Sequence, residues 1–364
     1  MSQAPALGRS TDAAGEQADR PRCYGALDLG TNNCRLLIAT PSRGGFRVVE
    51  AFSRIVRLGE GLTHTGRLQD AAIERAMAAL AICAEKVRRR QVVSLRAVAT
   101  QACRMAENGQ AFIDRVEAET GLQLSIIGPE EEARLAVAGC SNLLDRSADA
   151  ALVIDVGGGS TELSWVSFTG EGAERKPRLI SWLSVPMGVV TLAERFPEPE
   201  TPTEAWWEAM VGAVRAEIAA FGAADPLRPH FEQGRAHLIG TSGAITSLAG
   251  MHLGLQRYER SRVDGLWMTQ DDCRAAAVRL RSVGRVARAA EPCIGPDRAD
   301  LVLAGAAILE AVQQLWPCER VRVADRGLRE GMLLALMREG EAKPKRRRRR
   351  RRRGRAGAPA QAPA

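Results

Sequence analysis

The stretch V-I-D-V-G-G-G-S-T-E-L at residues 153–163 decides how this chain folds, because the same plan stands earlier as A-L-D-L-G-T-N-N-C-R-L-L-I-A at residues 26–39. In both, an apolar run reaches an aspartate, breaks at a glycine and hydroxyl turn, and resumes as a second apolar run. Apolar segments on either side of such a turn read as two strands joined tightly. Asp28 and Asp155 lie 127 residues apart. That spacing is too long for a solenoid repeat and suits two domains built on one plan.

Outward from these turns, Ile73, Met77, Leu80, Ala84 and Val87 recur at alternating four- and three-residue intervals. They form the stripe of an amphipathic helix over residues 70–90. Residues 92–100 read as a buried strand, 104–120 as a helix ending before Gly121, and 122–127 as another strand. Pro129 suits the first turn of a helix carrying Glu130, Glu131 and Glu132. A third glycine and hydroxyl turn, G-T-S-G at 240–243, opens a helix over 244–251. Later helices are expected at 270–283, 298–315 and 328–338, with a short strand near 321–323. The expected division is a disordered leader over 1–22, a first domain over 23–145, a second over 146–340 whose last helix is able to cross back to the first, and a disordered Arg-rich tail over 341–364.

The chain has 364 residues, 45% hydrophobic and 26% charged, which excludes disordered, collagenous and disulfide-scaffold classes. Its net charge of +8 is local, since eleven of the 51 Lys and Arg residues lie in 343–364, leaving 40 against 43 acids in the rest. The body is slightly acidic and the tail, with eight consecutive arginines at 346–353, carries the basicity. Eight cysteines without C-x-x-C spacing and four histidines without ligand spacing argue for reduced structural thiols and against a transition-metal site. A metal is expected to be oxygen-bound. No run of eighteen apolar residues and no apolar centre in the leader indicate a membrane span or export, so a cytoplasmic location is expected.

Two acid-glycine turns make a coherent phosphate device. Glycine lets backbone N–H groups approach anionic oxygens, and hydroxyls add donors. Asp28 and Asp155 are suited to hold a hydrated Mg2+ against such a phosphate. By residue chemistry alone, the three acids at 130–132 suit a helix start through the macrodipole. Arg104, Arg134 and Arg298 read as ion-pairing residues, and Trp206 and Trp207 as cover for a helix face.

The segments at 26–39 and 153–163, with V-A-T-Q-A-C-R (98–104), G-P-E-E-E-A-R-L (128–135), G-T-S-G-A-I-T-S-L (240–248) and D-R-A-D-L-V-L-A-G-A-A-I-L (297–309), resemble the exopolyphosphatase and guanosine pentaphosphate phosphatase (Ppx/GppA) family. That family is a branch of the acetate kinase, sugar kinase and actin superfamily, and the resemblance spans roughly residues 23–340. It implies an α/β fold of two actin-like (ribonuclease H-like) domains with an interdomain phosphate-binding cleft. It implies that Glu132 activates the attacking water and that Glu162 is a second candidate for water orientation or metal binding. Substrate is implied to lie on Gly30, Thr31, Asn32, Asn33, Arg104, Gly157, Gly158, Gly159, Ser160, Thr161, Gly240, Thr241, Ser242 and Gly243. Asp28, Asp155 and Glu162 are implied to hold Mg2+ or Mn2+. The chain departs from the family where D-x-G-S-N-S becomes D-L-G-T-N-N and G-N-E-E-A-R becomes G-P-E-E-E-A-R, so Glu131 stands beside Glu132 as a neighbouring candidate. It also ends where longer relatives continue into a helical HD-like region.

The expected function is hydrolysis of a phosphoanhydride, releasing terminal orthophosphate from inorganic polyphosphate or converting guanosine pentaphosphate to the tetraphosphate. In-line attack needs a positioned water, a base and neutralising donors, which these segments supply. The alternatives are a kinase or ATPase of the same superfamily, disfavoured by the acid before A-R-L, and a polyanion-binding protein whose Arg run attaches to nucleic acid or polyphosphate through counterion release. A homodimer is expected, and no membrane partner.

Overall fold

The computed structural model describes residues 22–342 except 171, 173, 174, 221–224 and 226. The leader through residue 21 and the tail from residue 343 lie outside the described residues. Eleven strands form two sheets among the described residues. The first sheet takes β1 (Tyr24–Leu29), β2 (Asn33–Ser42), β3 (Gly45–Ile55), β4 (Ser94–Ala99) and β5 (Leu124–Ile126). The second takes β6 (Ala150–Val156), β7 (Thr161–Thr169), β8 (Lys176–Val185), β9 (Ala236–Thr241), β10 (Trp267–Thr269) and β11 (Arg320–Ala324).

Their strand orders are β3-β2-β1-β4-β5 and β8-β7-β6-β9-β11, the second extended at its edge by β10. In each, three consecutive strands run antiparallel and the next two lie parallel to the first. This is the ribonuclease H-like plan of actin-like domains, occurring twice in one chain. The parallel neighbours need crossovers, which the helices Asp70–Arg89 and Gly109–Thr120 supply in the first half.

Period-two alternation assigns the faces. Leu27 and Leu29 of β1 pack with Leu80 and Phe112 on the outer helices, while Tyr24 and Ala26 pack with Leu328 and Met332 of the last helix, Leu328–Ala342. In β6, Leu152 and Ile154 join the large outer core with Leu248 and Ile308, while Ala151 and Val153 pack with Val137 and Cys140 of the helix Pro129–Cys140. The Pro129–Cys140 and Leu328–Ala342 helices therefore lie on the facing sides of the two sheets. They touch backbone to backbone at Gly139 and Gly331, where any added Cβ would collide with the carbonyls of Gly327 and Leu135. Asp28 continues the Tyr24–Ala26 face and Asp155 the Ala151–Val153 face, so the fold turns both aspartates toward the space between the sheets.

Three expectations change. The helix expected over 104–120 is two helices, Gln101–Met105 and Gly109–Thr120. Asn108 separates them: its amide accepts from Leu68 N at 2.8 Å and donates to Leu68 O at 3.0 Å, a tertiary clamp that outweighs continued helix. The helix expected from 298 begins at Val302, because Arg298 O accepts from both Leu301 N and Val302 N in a preceding turn. Trp207, expected to cover a helix face, is a core residue with Nε1 donating to Glu310 at 3.0 Å. All eight cysteines are free thiols, seven of them buried.

Candidate active site

The two acid-glycine turns have one geometry. Gly30 N donates to Asn33 O at 2.9 Å, and Gly157 N donates to Ser160 O at 2.9 Å. Both turns are held from behind by the segment leaving the third strand. After β3, Val56 N and Arg57 N donate to Asn32 O, and Gly59 N donates to Thr31 O. After β8, Val189 N donates to Gly157 O and Val190 N to Gly158 O. With the carbonyls bound behind, the N–H groups of Thr31, Asn32, Gly158 and Gly159 have no acceptor among the described residues. The turns also abut: a Cβ on Gly158 would stand 3.0 Å from Asn32 N and from Thr31 Cβ, and one on Gly159 would stand 2.8 Å from Thr31 Oγ1. Only glycine permits that approach.

The third turn arrives from β9. Gly240 and Thr241 are the end of the strand, and the helix starts at Gly243 with Ser242 as its N-cap. Ser242 is held at φ 143°, ψ 171°, a conformation costing a side-chain-bearing residue on the order of 1–3 kcal/mol. Such strain concentrates where backbone donors must be aimed at a ligand. Ser242, Gly243 and the first two turns line one cavity of about 1070 Å³ between the sheets.

Two buried carboxylates, Glu132 and Glu162, and two half-buried ones, Asp28 and Asp155, line the cavity, and the buried Glu330 beside them accepts from Gly327 N at 2.9 Å. Glu132 comes from the first turn of the Pro129 helix, is 8% exposed, and receives Arg104 Nη1 at 3.3 Å. Burial, and then the Glu162 charge, hold its pKa well above the ordinary glutamate value against the opposing pull of Arg104. Glu162 lies directly opposite Asp155 in the β6–β7 register and accepts from the hydroxyls of Ser160 (2.7 Å) and Ser184 (2.9 Å). Burial raises its pKa too, and the two serine hydrogen bonds oppose the rise. Asp155 is pushed up to about 7, first by burial and then by Glu162 and Asp28. Asp28 is raised by burial and partly relieved by Arg35 and Arg329.

Most residues named from sequence line this cavity: Asp28, Gly30, Thr31, Asn32, Asn33, Glu132, Asp155, Gly157, Gly158, Gly159, Ser160, Glu162, Thr241, Ser242 and Gly243. Three others do not. Arg104 lies behind the wall, its guanidinium donating to Ile127 O (2.7 Å), Gln101 Oε1 (2.5 Å) and Glu132. Thr161 donates to Met187 O at 2.7 Å, fixing the β8 exit, and Gly240 makes room for Ile245. Of the neighbouring acids, Glu131 is exposed and paired with Arg96, and Glu130 pairs with Arg134 at 2.9 Å. Among the described residues Arg298 does not form the expected ion pair; its guanidinium rests against Gly243 and lines the cavity. Arg35 and Arg329 also line it and went unread in the sequence. Their position seven residues after Asp28 and beside the last helix start was the available signal.

A hydrated divalent cation fits this donor set. Asp28, Asp155 and Glu162 are hard oxygen donors whose buried charges oppose one another, which an added cation would relieve. Among the described residues no three of His, Cys, Asp and Glu are close enough to ligate one ion together, so the fit is through water.

The fold and sequence have solved counterparts. An exopolyphosphatase-like protein is 29% identical, with 88% of this chain and 99% of that chain covered at a TM-score of 0.78. A Ppx/GppA family member from Aquifex aeolicus is 27% identical, with 88% and 99% covered at 0.71. An exopolyphosphatase from Cytophaga hutchinsonii, 24% identical with 87% and 98% covered at a TM-score of 0.76, shares the fold. The Ppx/GppA phosphatase family pattern matches residues 37–339, from within β2 to the last helix, with the first turn just ahead of it, and the chain therefore belongs to the Ppx/GppA phosphatase family.

Proposed function

We propose that the cleft hydrolyses the terminal phosphoanhydride of inorganic polyphosphate and releases orthophosphate. The supporting observation is the buried Glu132 carboxylate, steadied by Arg104, opening on a cavity ringed by turns whose N–H groups have no internal acceptor. The N–H groups of Thr31, Asn32, Gly158 and Gly159 bind phosphoryl oxygens and orient the terminal phosphorus for in-line attack. Glu132 accepts the proton of the attacking water, and its raised pKa makes it a stronger base than a solvated glutamate. Glu162, fixed by Ser160 and Ser184, orients that water from the opposite sheet. Arg104 is a positioning residue that aims the Glu132 carboxylate. Mg2+ or Mn2+, held through water by Asp28, Asp155 and Glu162, would neutralise phosphate charge. Guanosine pentaphosphate presents the same terminal bond and is a second substrate of the same chemistry.

Orthophosphate release from long polyphosphate and from guanosine pentaphosphate, measured side by side, tests this reading. Release from neither overturns it; release from guanosine pentaphosphate alone moves the substrate to the nucleotide. The Arg run of 343–364 is proposed to gather long polyanions. Its deletion then raises KM for long polyphosphate and flattens the salt dependence while leaving short chains unaffected.

A further inference from the structure

Each glycine turn rests on the segment that leaves the third strand of its sheet, and both segments press a glycine against the turn they hold. A Cβ on Gly59 would stand 2.3 Å from Thr31 Cγ2, and one on Gly188 would stand 2.5 Å from Gly157 O. The backbone bonds from Val56, Arg57 and Gly59 in the first half, and from Val189 and Val190 in the second, add to this contact. Neither segment can shift without carrying its turn along. The first continues into the helical turn Leu62–Thr65, and the second into the helix Val189–Arg195.

These two supports meet across the molecule. Gly61 N donates to Glu194 Oε1 at 3.2 Å and Thr63 Oγ1 donates to Glu194 Oε2 at 2.9 Å, so both carboxylate oxygens of a second-half residue are engaged by the first half. Earlier in the same segment, Arg57 crosses as well and pairs with Asp300 at 3.0 Å. Arg57 holds φ at 47°, in the left-handed region that a side-chain-bearing residue rarely adopts, so this crossing is made at a point of backbone strain. Glu194 and Thr63 lie outside the cavity lining. Contacts at a partly solvated carboxylate add little to global stability. Their place between the supports of the two turns gives them leverage on the site.

We propose that Glu194 is a positioning residue: by clasping Gly61 and Thr63 it sets the distance between the two turns and so aligns the N–H groups of Thr31, Asn32, Gly158 and Gly159 on one substrate. Its effect on turnover rests on the phosphoanhydride reading of the cleft, whereas amide exchange reports the clasp without turnover. In the full-length chain, backbone amide exchange of the peptide spanning 56–61 should quicken about fivefold or more in Glu194→Ala, although Glu194 belongs to the other half. Thr63→Val should quicken it less, and Thr63→Ser, which keeps the hydroxyl, should exchange as wild type. Unchanged exchange over 56–61 in Glu194→Ala overturns the clasp. In turnover on tripolyphosphate, Glu194→Ala should raise KM about three- to tenfold and leave kcat within about twofold, because bound substrate draws the turns together again. The double variant Glu194→Ala/Thr63→Val should have the KM of Glu194→Ala alone, since both changes remove one joint. Quickened exchange with an unchanged KM overturns the positioning role. A wild type that releases no orthophosphate from polyphosphate, with exchange still quickened in Glu194→Ala, removes the polyphosphate reading and supports the clasp.

Discussion

The two halves of the molecule carry the same turn with opposite chemistry beside it. Asp28 and Asp155 each precede a glycine turn, and the residue seven positions later lies directly opposite on the next strand: Arg35 in the first half, Glu162 in the second. The first pair is attractive. The second sets the half-buried Asp155 and the buried Glu162 carboxylates face to face, an arrangement that costs stability in a sheet. One scaffold has thus been divided into a cationic wall and an anionic wall, and the cavity between them can hold a phosphate chain on one side and a cation on the other.

Removing divalent cations should have the largest effect. Excess chelator is expected to abolish orthophosphate release, and restored Mg2+ to return it. Asp155→Asn should raise the half-saturating Mg2+ concentration more than Asp28→Asn does, because Arg35 already compensates Asp28 whereas Glu162 adds to the charge at Asp155. Equal shifts in the two variants would erase the asymmetry between the walls.

Glu132→Gln should lower kcat by on the order of 100-fold or more. Glu131→Gln should be nearly silent, since Glu131 points to solvent beside Arg96. The sign with pH follows from the raised Glu132 pKa. Below it the carboxyl is neutral and accepts no proton, so kcat/KM should fall on acidification, with its acidic limb above the ordinary glutamate value of 4.5. Wild-type turnover in Glu132→Gln would transfer the base to the second half, at Glu162.

The turns themselves differ in how much room they leave. Gly158→Ala forces a Cβ against Asn32 N and Thr31 Cβ at 3.0 Å, and should cost about 1–3 kcal/mol in urea unfolding along with most of the activity. Gly30→Ala meets nothing nearer than 3.6 Å, and should stay within about 0.5 kcal/mol of wild type. A sensitive Gly30 and a tolerant Gly158 would reverse which turn is the pressed one.

A separate effect concerns stability away from the site and leaves turnover untouched. His237 of the second sheet is buried, and burial lowers its pKa to about 4. The unfolded chain takes up this proton near pH 6.5 and the folded chain near 4, so the contribution is present above 6.5 and is lost as pH falls toward 4. The loss amounts to about 3 kcal/mol. In His237→Gln the difference in urea stability between pH 7 and pH 4.5 should shrink by much of that amount.

Several elements escaped the sequence, among them the short helices Val189–Arg195, Arg228–Glu232 and Arg285–Ala290 and the strand β10. β3 and β8 are edge strands, half solvated and carrying Arg47, Glu50 and Arg54 in one and Lys176 and Arg178 in the other, so no apolar alternation marked them. The break at Asn108 depends on Leu68, forty residues away, and no local propensity encodes it. Arg104 was legible as a site residue, but its direction was not: only the fold shows its guanidinium turned onto Glu132 and Ile127 O rather than into the cavity.

The amino-acid sequence by itself determined the repeated strand, turn and strand units, the glycine and hydroxyl composition of the turns, and the candidate carboxylates. These follow from local rules: side-chain alternation, the need for glycine in a tight turn, and proline at a helix start. Tertiary structure alone decided what those groups do to one another. The crossing of the Pro129–Cys140 and Leu328–Ala342 helices at Gly139 and Gly331 sets the gap between the sheets, and that gap brings Glu132 near Glu162, Gly158 onto Thr31, and Arg329 beside Arg35. Charge interaction and close contact depend on distance through space, and residues from opposite ends of the chain acquire such distances only when both sheets are packed.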